Sequence, residues 1–90
     1  MTPPLDLFEG PVKTAILAAL ATAAPSHVYA ADLCDEVFGS REKRHRDTLK
    51  ALVSQMRPKL QAIGFDIQGR AVLRMNAYRL VNTLLGDSDA

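Results

Sequence analysis

The chain has no tryptophan, one cysteine and little aromatic content (6%), and each scarcity removes a class of protein. A lone cysteine, Cys34, excludes an internal disulfide. With only His27 and His45 beside it, no cysteine–histidine set stands at metal-ligand spacing, so neither a metal nor a cofactor is expected. The longest apolar run, "AILAALA" (15–21), is far short of a membrane span. It follows "LDLFEGPVK" rather than a basic start, so it does not read as a signal peptide. The expectation is a cytoplasmic, soluble protein with no membrane partner. Ser26-His27 has no carboxylate–nucleophile arrangement around it, so no catalytic residue is named and an enzyme is not expected. Ninety residues make one small domain, too small for an enclosed active site of ordinary design.

What the chain does have is a charge asymmetry hidden by its net +1. Residues 1–40 carry five acids (Asp6, Glu9, Asp32, Asp35, Glu36) against Lys13 alone. Residues 41–63 carry seven bases (Arg41, Lys43, Arg44, Arg46, Lys50, Arg57, Lys59) against Glu42 and Asp47. Arg70, Arg74 and Arg79 follow. Bases concentrated in one half suggest a polyanion-binding face, although a solvated charged surface has the same composition.

Apolar spacing gives the element order. Residues 1–8, with Pro3 and Pro4, read as a flexible arm before a domain at 9–82, and 83–90 as a flexible acidic tail. "EGPVKTAILAALATAA" signals a first helix, with Pro11 in its first turn and Val12, Ala15, Ile16, Ala19 and Leu20 at helical spacing. "HVY" (27–29) is a short strand or an extended connector. "AADLCDEVF" is a second helix with Leu33, Val37 and Cys34 inward and Gly39 as its stop. The segment 40–47 has no apolar residue and reads as a loop or frayed helix start, with Ser40 or Asp47 able to cap the third helix. From Thr48, Leu49, Leu52, Val53, Met56, Leu60 and Ile63 form a helical stripe that Gly64 closes. Strand-like runs then flank "RMNA" (74–77), where Asn76 suits a positive φ, so a β-hairpin is expected.

Pro58 stands inside the third helix. Interior proline costs about 3 kcal/mol through a lost hydrogen bond and a clash with the carbonyl four residues back. The six stripe residues stabilise by roughly 1.5–3 kcal/mol each, an upper estimate, so packing wins: the element survives with a kink or restarts with Pro58 in its first turn, and the stripe's unbroken phase across Pro58 favours the kink. Three helices followed by a hairpin make a mainly α fold with a small β-hairpin, the winged helix-turn-helix plan with a C-terminal wing.

Three motifs carry a resemblance. "TLKALVSQMRPKLQAIGFDI", with Met56-Arg57-Pro58-Lys59-Leu60, resembles the recognition-helix segment of OmpR/PhoB-type response-regulator effector domains, where a Leu-Arg-x-Lys-Leu run closes the helix. "VLRMNAYRLV" resembles their wing through Leu73, Arg74, Tyr78, Arg79 and Leu80. Phe38-Gly39 in "LCDEVFG" resembles the end of their second helix. The resemblance spans roughly residues 12–82 and implies a stand-alone DNA-binding transcriptional regulator, with the helix at about 48–63 in the major groove. It implies that Arg74 reaches the minor groove at a wing of residues 74–77 with Asn76 beside it, and that Thr48 contacts phosphate. Ala51, Ser54 and Gln55 would face base edges, and Arg57 would hold backbone or a neighbouring element. Arg44 and Arg46 are candidate phosphate contacts alongside Lys50, and Tyr78 is a core residue whose hydroxyl can reach phosphate. Double-stranded DNA is the expected partner, with a dimer, tandem sites or a protein partner needed because one small module makes few contacts. The alternative is a protein-binding winged helix acting on RNA polymerase or another regulator through the 40–47 loop. Asp47 stands where the family often has arginine, and Met75 and Ala77 replace two wing glycines, so the turn must differ.

Overall fold

The computed structural model describes residues 3–83. Three helices, α1 (Pro11–Ala23), α2 (Ala30–Phe38) and α3 (Lys43–Gln61), accompany three strands, β1 (Val28–Tyr29), β2 (Phe65–Val72) and β3 (Met75–Asn82). The strands form one antiparallel sheet in the order β1-β3-β2. The architecture is therefore mixed α and β, because the residues at 28–29 pair with β3, Val28 opposite Tyr78 and Tyr29 opposite Ala77. None of these helices is long and apolar enough to cross a membrane.

Each helix forms where its punctuation lies. Pro11 opens α1, where a missing N–H is not needed. Ile16, Leu17 and Leu20 form its buried face, while Val12, Ala15 and Ala19 are only partly covered. Gly39 ends α2 in the left-handed region (φ 69), its N–H donating to the Asp35 carbonyl at 3.0 Å. The core joins these faces to α3 (Leu49, Val53, Met56, Leu60) and to Phe65, Ile67 and Leu80 of the sheet. Since Ile67 pairs with Leu80, both point to the helical side.

Proline does not interrupt α3, which runs through Pro58. The carbonyl that Pro58 deprives of a partner belongs to Ser54, and both residues are exposed. Water can solvate it there, which lowers the cost. Ile63, expected inward, is 36% exposed because the helix has ended at Gln61 and the chain turns away.

Further expectations are corrected. Of the two readings of 40–47, the helix start holds for 43–47, which form the first turns of α3, while the cap position falls to Glu42 rather than Ser40 or Asp47. Lacking apolar residues does not weaken a helix made of lysine and arginine, both strong helix formers. His45 also packs inward, its ring stacked on Phe38 with centroids 5.2 Å apart. Within the expected arm, Pro3 is buried and Phe8 is only 7% exposed in the core, with Lys59 Nζ 5.7 Å from its ring centroid. The prolines there mask an apolar anchor. Of the expected acidic tail, only Thr83 lies among the described residues.

The hairpin turn is also displaced. Val72 pairs with Met75, so Leu73 and Arg74 alone make the turn, at φ 52 and 67. Asn76 lies in β3 opposite Ala71. Burial of Ile67 and Leu80 sets this register, since a slip of one residue would turn them outward. Two positive φ values match a type I′ turn, which favours Asn-Gly and strains other L-residues by about 1 kcal/mol each. Replacing Leu73-Arg74 by Asn-Gly is therefore expected to raise the melting temperature by several degrees, at about 4–8 °C per kcal/mol. An unchanged or lower midpoint would count against strain at this turn.

Candidate nucleic-acid interface

A cleft of about 250 Å³ opens between the start of α2, the first half of α3 and the hairpin turn. Lys43, Arg46 and Lys50 approach it from α3 and Arg74 from the turn, with Asp47 the one carboxylate on its walls. These α3 positions recur at helical spacing, so one face of the helix carries them. Ala30 and Ala31 of α2 form another wall, and that helix begins without a side-chain cap, so its first amides have no side-chain acceptor. Asp47 accepts from Lys43 Nζ at 3.0 Å, a pair whose side chains are 79% and 64% exposed. Such a surface pair stabilises by less than about 1 kcal/mol and yields readily to a competing anion.

Of the residues expected to bind DNA, the fold brings Arg46, Lys50, Arg74, Asn76 and Tyr78 to this cleft. The Tyr78 ring lies over Gly69, where an added Cβ would sit 3.2 Å from the ring. Burial pushes the Tyr78 phenol above its usual value. Ala51, Ser54 and Gln55 lie exposed on α3 outside the cleft. Thr48 donates its hydroxyl to the Arg44 carbonyl at 3.0 Å, and Arg44 lies 3.4 Å from Glu42. Arg41 is drawn to α2, 2.9 Å from Asp32 and 3.7 Å from Asp35.

Arg57 is engaged elsewhere. Its guanidinium donates two bonds to the Asp66 carboxylate, at 2.9 and 3.1 Å, and so joins α3 to β2. The same carboxylate accepts the Ile67 N–H at 2.8 Å. Burial pushes the Asp66 carboxyl up, but the bonds from Arg57 and Ile67 outweigh it and hold it below its ordinary value of 3.8. A lowered folded-state value means the stabilisation is complete above the unfolded pKa and is lost as pH falls through the folded one. Asp66→Asn is expected to cost about 1 kcal/mol at neutral pH, a discounted figure because Arg57 is half exposed. The variant and wild-type melting temperatures should converge as pH falls through the lowered Asp66 pKa. A gap constant with pH would show that the carboxylate charge is not what matters.

The sequence counts Lys43 among the clustered bases but gives it no contact role, since only the folded helix aligns it with Arg46 and Lys50; the α2 start, whose role at the cleft is purely spatial, it does not reveal. On the opposite face of the sheet, Arg79 donates to Gln68 Oε1 at 3.0 and 2.8 Å. Burial, with Arg79 and Arg70 nearby, lowers the His27 pKa. Comparison with family models, with curated proteins and with solved structures finds no match for this chain, so its function has to be argued from the site itself.

Proposed function

We propose that this chain is a winged helix-turn-helix protein that binds duplex DNA and regulates transcription. In this reading α3 lies in the major groove by its N-terminal half, and the β2–β3 hairpin is the wing. The observation that carries it is the convergence of Lys43, Arg46, Lys50 and Arg74 on one cleft with a single carboxylate. A phosphate backbone is the polyanion whose spacing suits cations arranged along a helix and a hairpin tip. The exposed residues ahead of the cleft, Ala51, Ser54 and Gln55, include no arginine, so base readout by bidentate guanine contacts is not available there. Affinity then rests chiefly on backbone contacts, with modest sequence preference. Arg57 belongs to the internal brace rather than to the backbone-contacting set.

A second reading, a protein-binding winged helix acting on RNA polymerase or another regulator, draws on the exposed Leu73 and Met75, which are 83% and 45% accessible. With 43–47 in α3, its contact surface would be the hairpin tip rather than a 40–47 loop.

The test is retention of mixed-sequence duplexes by the purified protein as salt rises from about 50 to 200 mM, a range over which counterion-driven binding weakens steeply. Arg74→Ala is expected to lower the slope of log affinity against log salt by about one unit. No retention at low salt overturns the DNA reading, and an unchanged slope removes Arg74 from the contact set.

A further inference from the structure

The tip of the hairpin is built against its own interest. Leu73 occupies the left-handed region, where leucine is strained, and is the most exposed of the large apolar side chains among the described residues. It lies outside the core cluster, so neither the strain nor the exposure is offset by packing within the chain. Asn-Gly would form the same turn without either penalty. Strain of this kind, held at an exposed tip, points outward to something the side chain meets.

We propose that Leu73 is an apolar wedge that enters the DNA minor groove beside Arg74 and partly unstacks a base step, so that the duplex is bent where the wing sits. This inference rests on the duplex-DNA reading above. The shape fits it, because the turn is only two residues wide and Arg70, Leu73, Arg74 and Met75 around it are all exposed. A tip this narrow suits the minor groove, about 6 Å across. Arg74 follows the negative potential into that groove, and leucine is among the residues that pry base steps apart there. The surface is a poor protein interface by comparison. Its apolar part is Leu73 and Met75 with arginine on either side, far below the area a specific protein contact buries.

The experiment measures end-to-end energy transfer in a dye-labelled duplex with one central TA step, the kind of step most easily kinked. Wild type, Leu73→Met, Leu73→Ala and Leu73→Asn are each compared at saturating protein. Wild type and Leu73→Met should bend the duplex by roughly 20° or more, and Leu73→Ala should lose that bend while keeping the wild-type salt slope, since no charge is removed. Leu73→Asn separates wedge from fold, because it should melt at a higher temperature and still fail to bend. Bending by Leu73→Ala and Leu73→Asn equal to wild type overturns the wedge, as does wild-type binding without a bend. Failure of wild type to bind the duplex at any salt overturns the DNA reading itself.

Discussion

Reversing two cleft charges together, Arg46→Glu with Lys50→Glu, is expected to weaken duplex DNA binding on the order of 10²-fold or more at low salt. Both side chains line the cleft and have no ion-pair partner among the described residues. Each charged contact contributes about 1.5–3 kcal/mol, so losing two removes at least about 3 kcal/mol before repulsion is counted. Stability should stay within about 0.5 kcal/mol, as for most exposed substitutions. Glutamate is a strong helix former, and at position 46, at the end of the first turn, an acid also suits the helix dipole, so neither substitution threatens α3 itself. Anisotropy of a labelled duplex gives the affinity and a thermal melt reports the fold. A folded double variant that binds like wild type would remove the cleft from the DNA surface.

Leu60→Ala is expected to cost about 2–5 kcal/mol, whereas Ile63→Ala should cost under about 1 kcal/mol. The two residues lie on one apolar stripe in the sequence, but Leu60 is fully buried and Ile63 is 36% exposed. Leu60 sits past Pro58 near the end of α3, in the core cluster that includes Phe65 and Ile67 of β2, so its truncation opens a cavity in a close-packed region. A domain of this size is stable by only about 4–13 kcal/mol, so the loss is a large fraction of the total. The melting temperature of Leu60→Ala should fall by roughly 10 °C or more, and that of Ile63→Ala by a few degrees at most. Equal effects would mean that the stripe, not burial, governs the end of the helix.

The sequence by itself determined that three helices form, and much of the core. α2 begins and ends where "AADLCDEVF" and Gly39 put it, and Leu49, Val53, Met56 and Leu60 are buried as their spacing requires. Periodicity and capping act over one or two turns, so they can be read locally. The survival of α3 through Pro58 was legible too, because the apolar stripe runs in phase across it and its burial outweighs the cost of the proline. Tertiary structure alone decided the rest. The turn fell at Leu73-Arg74 rather than at Asn76, because the buried Ile67–Leu80 pair sets the register and overrides the local preference. Arg57 was taken from the cationic surface by Asp66, nine residues on, a meeting that exists only once β2 packs on α3. The cleft draws Lys43, Lys50 and Arg74 from two elements and a wall from α2, and no spacing along the chain encodes that distance. Local pattern specifies which elements form. Long-range packing specifies which charges meet, because burial of the apolar faces, against the mutual repulsion of the exposed cations, drives the chain together.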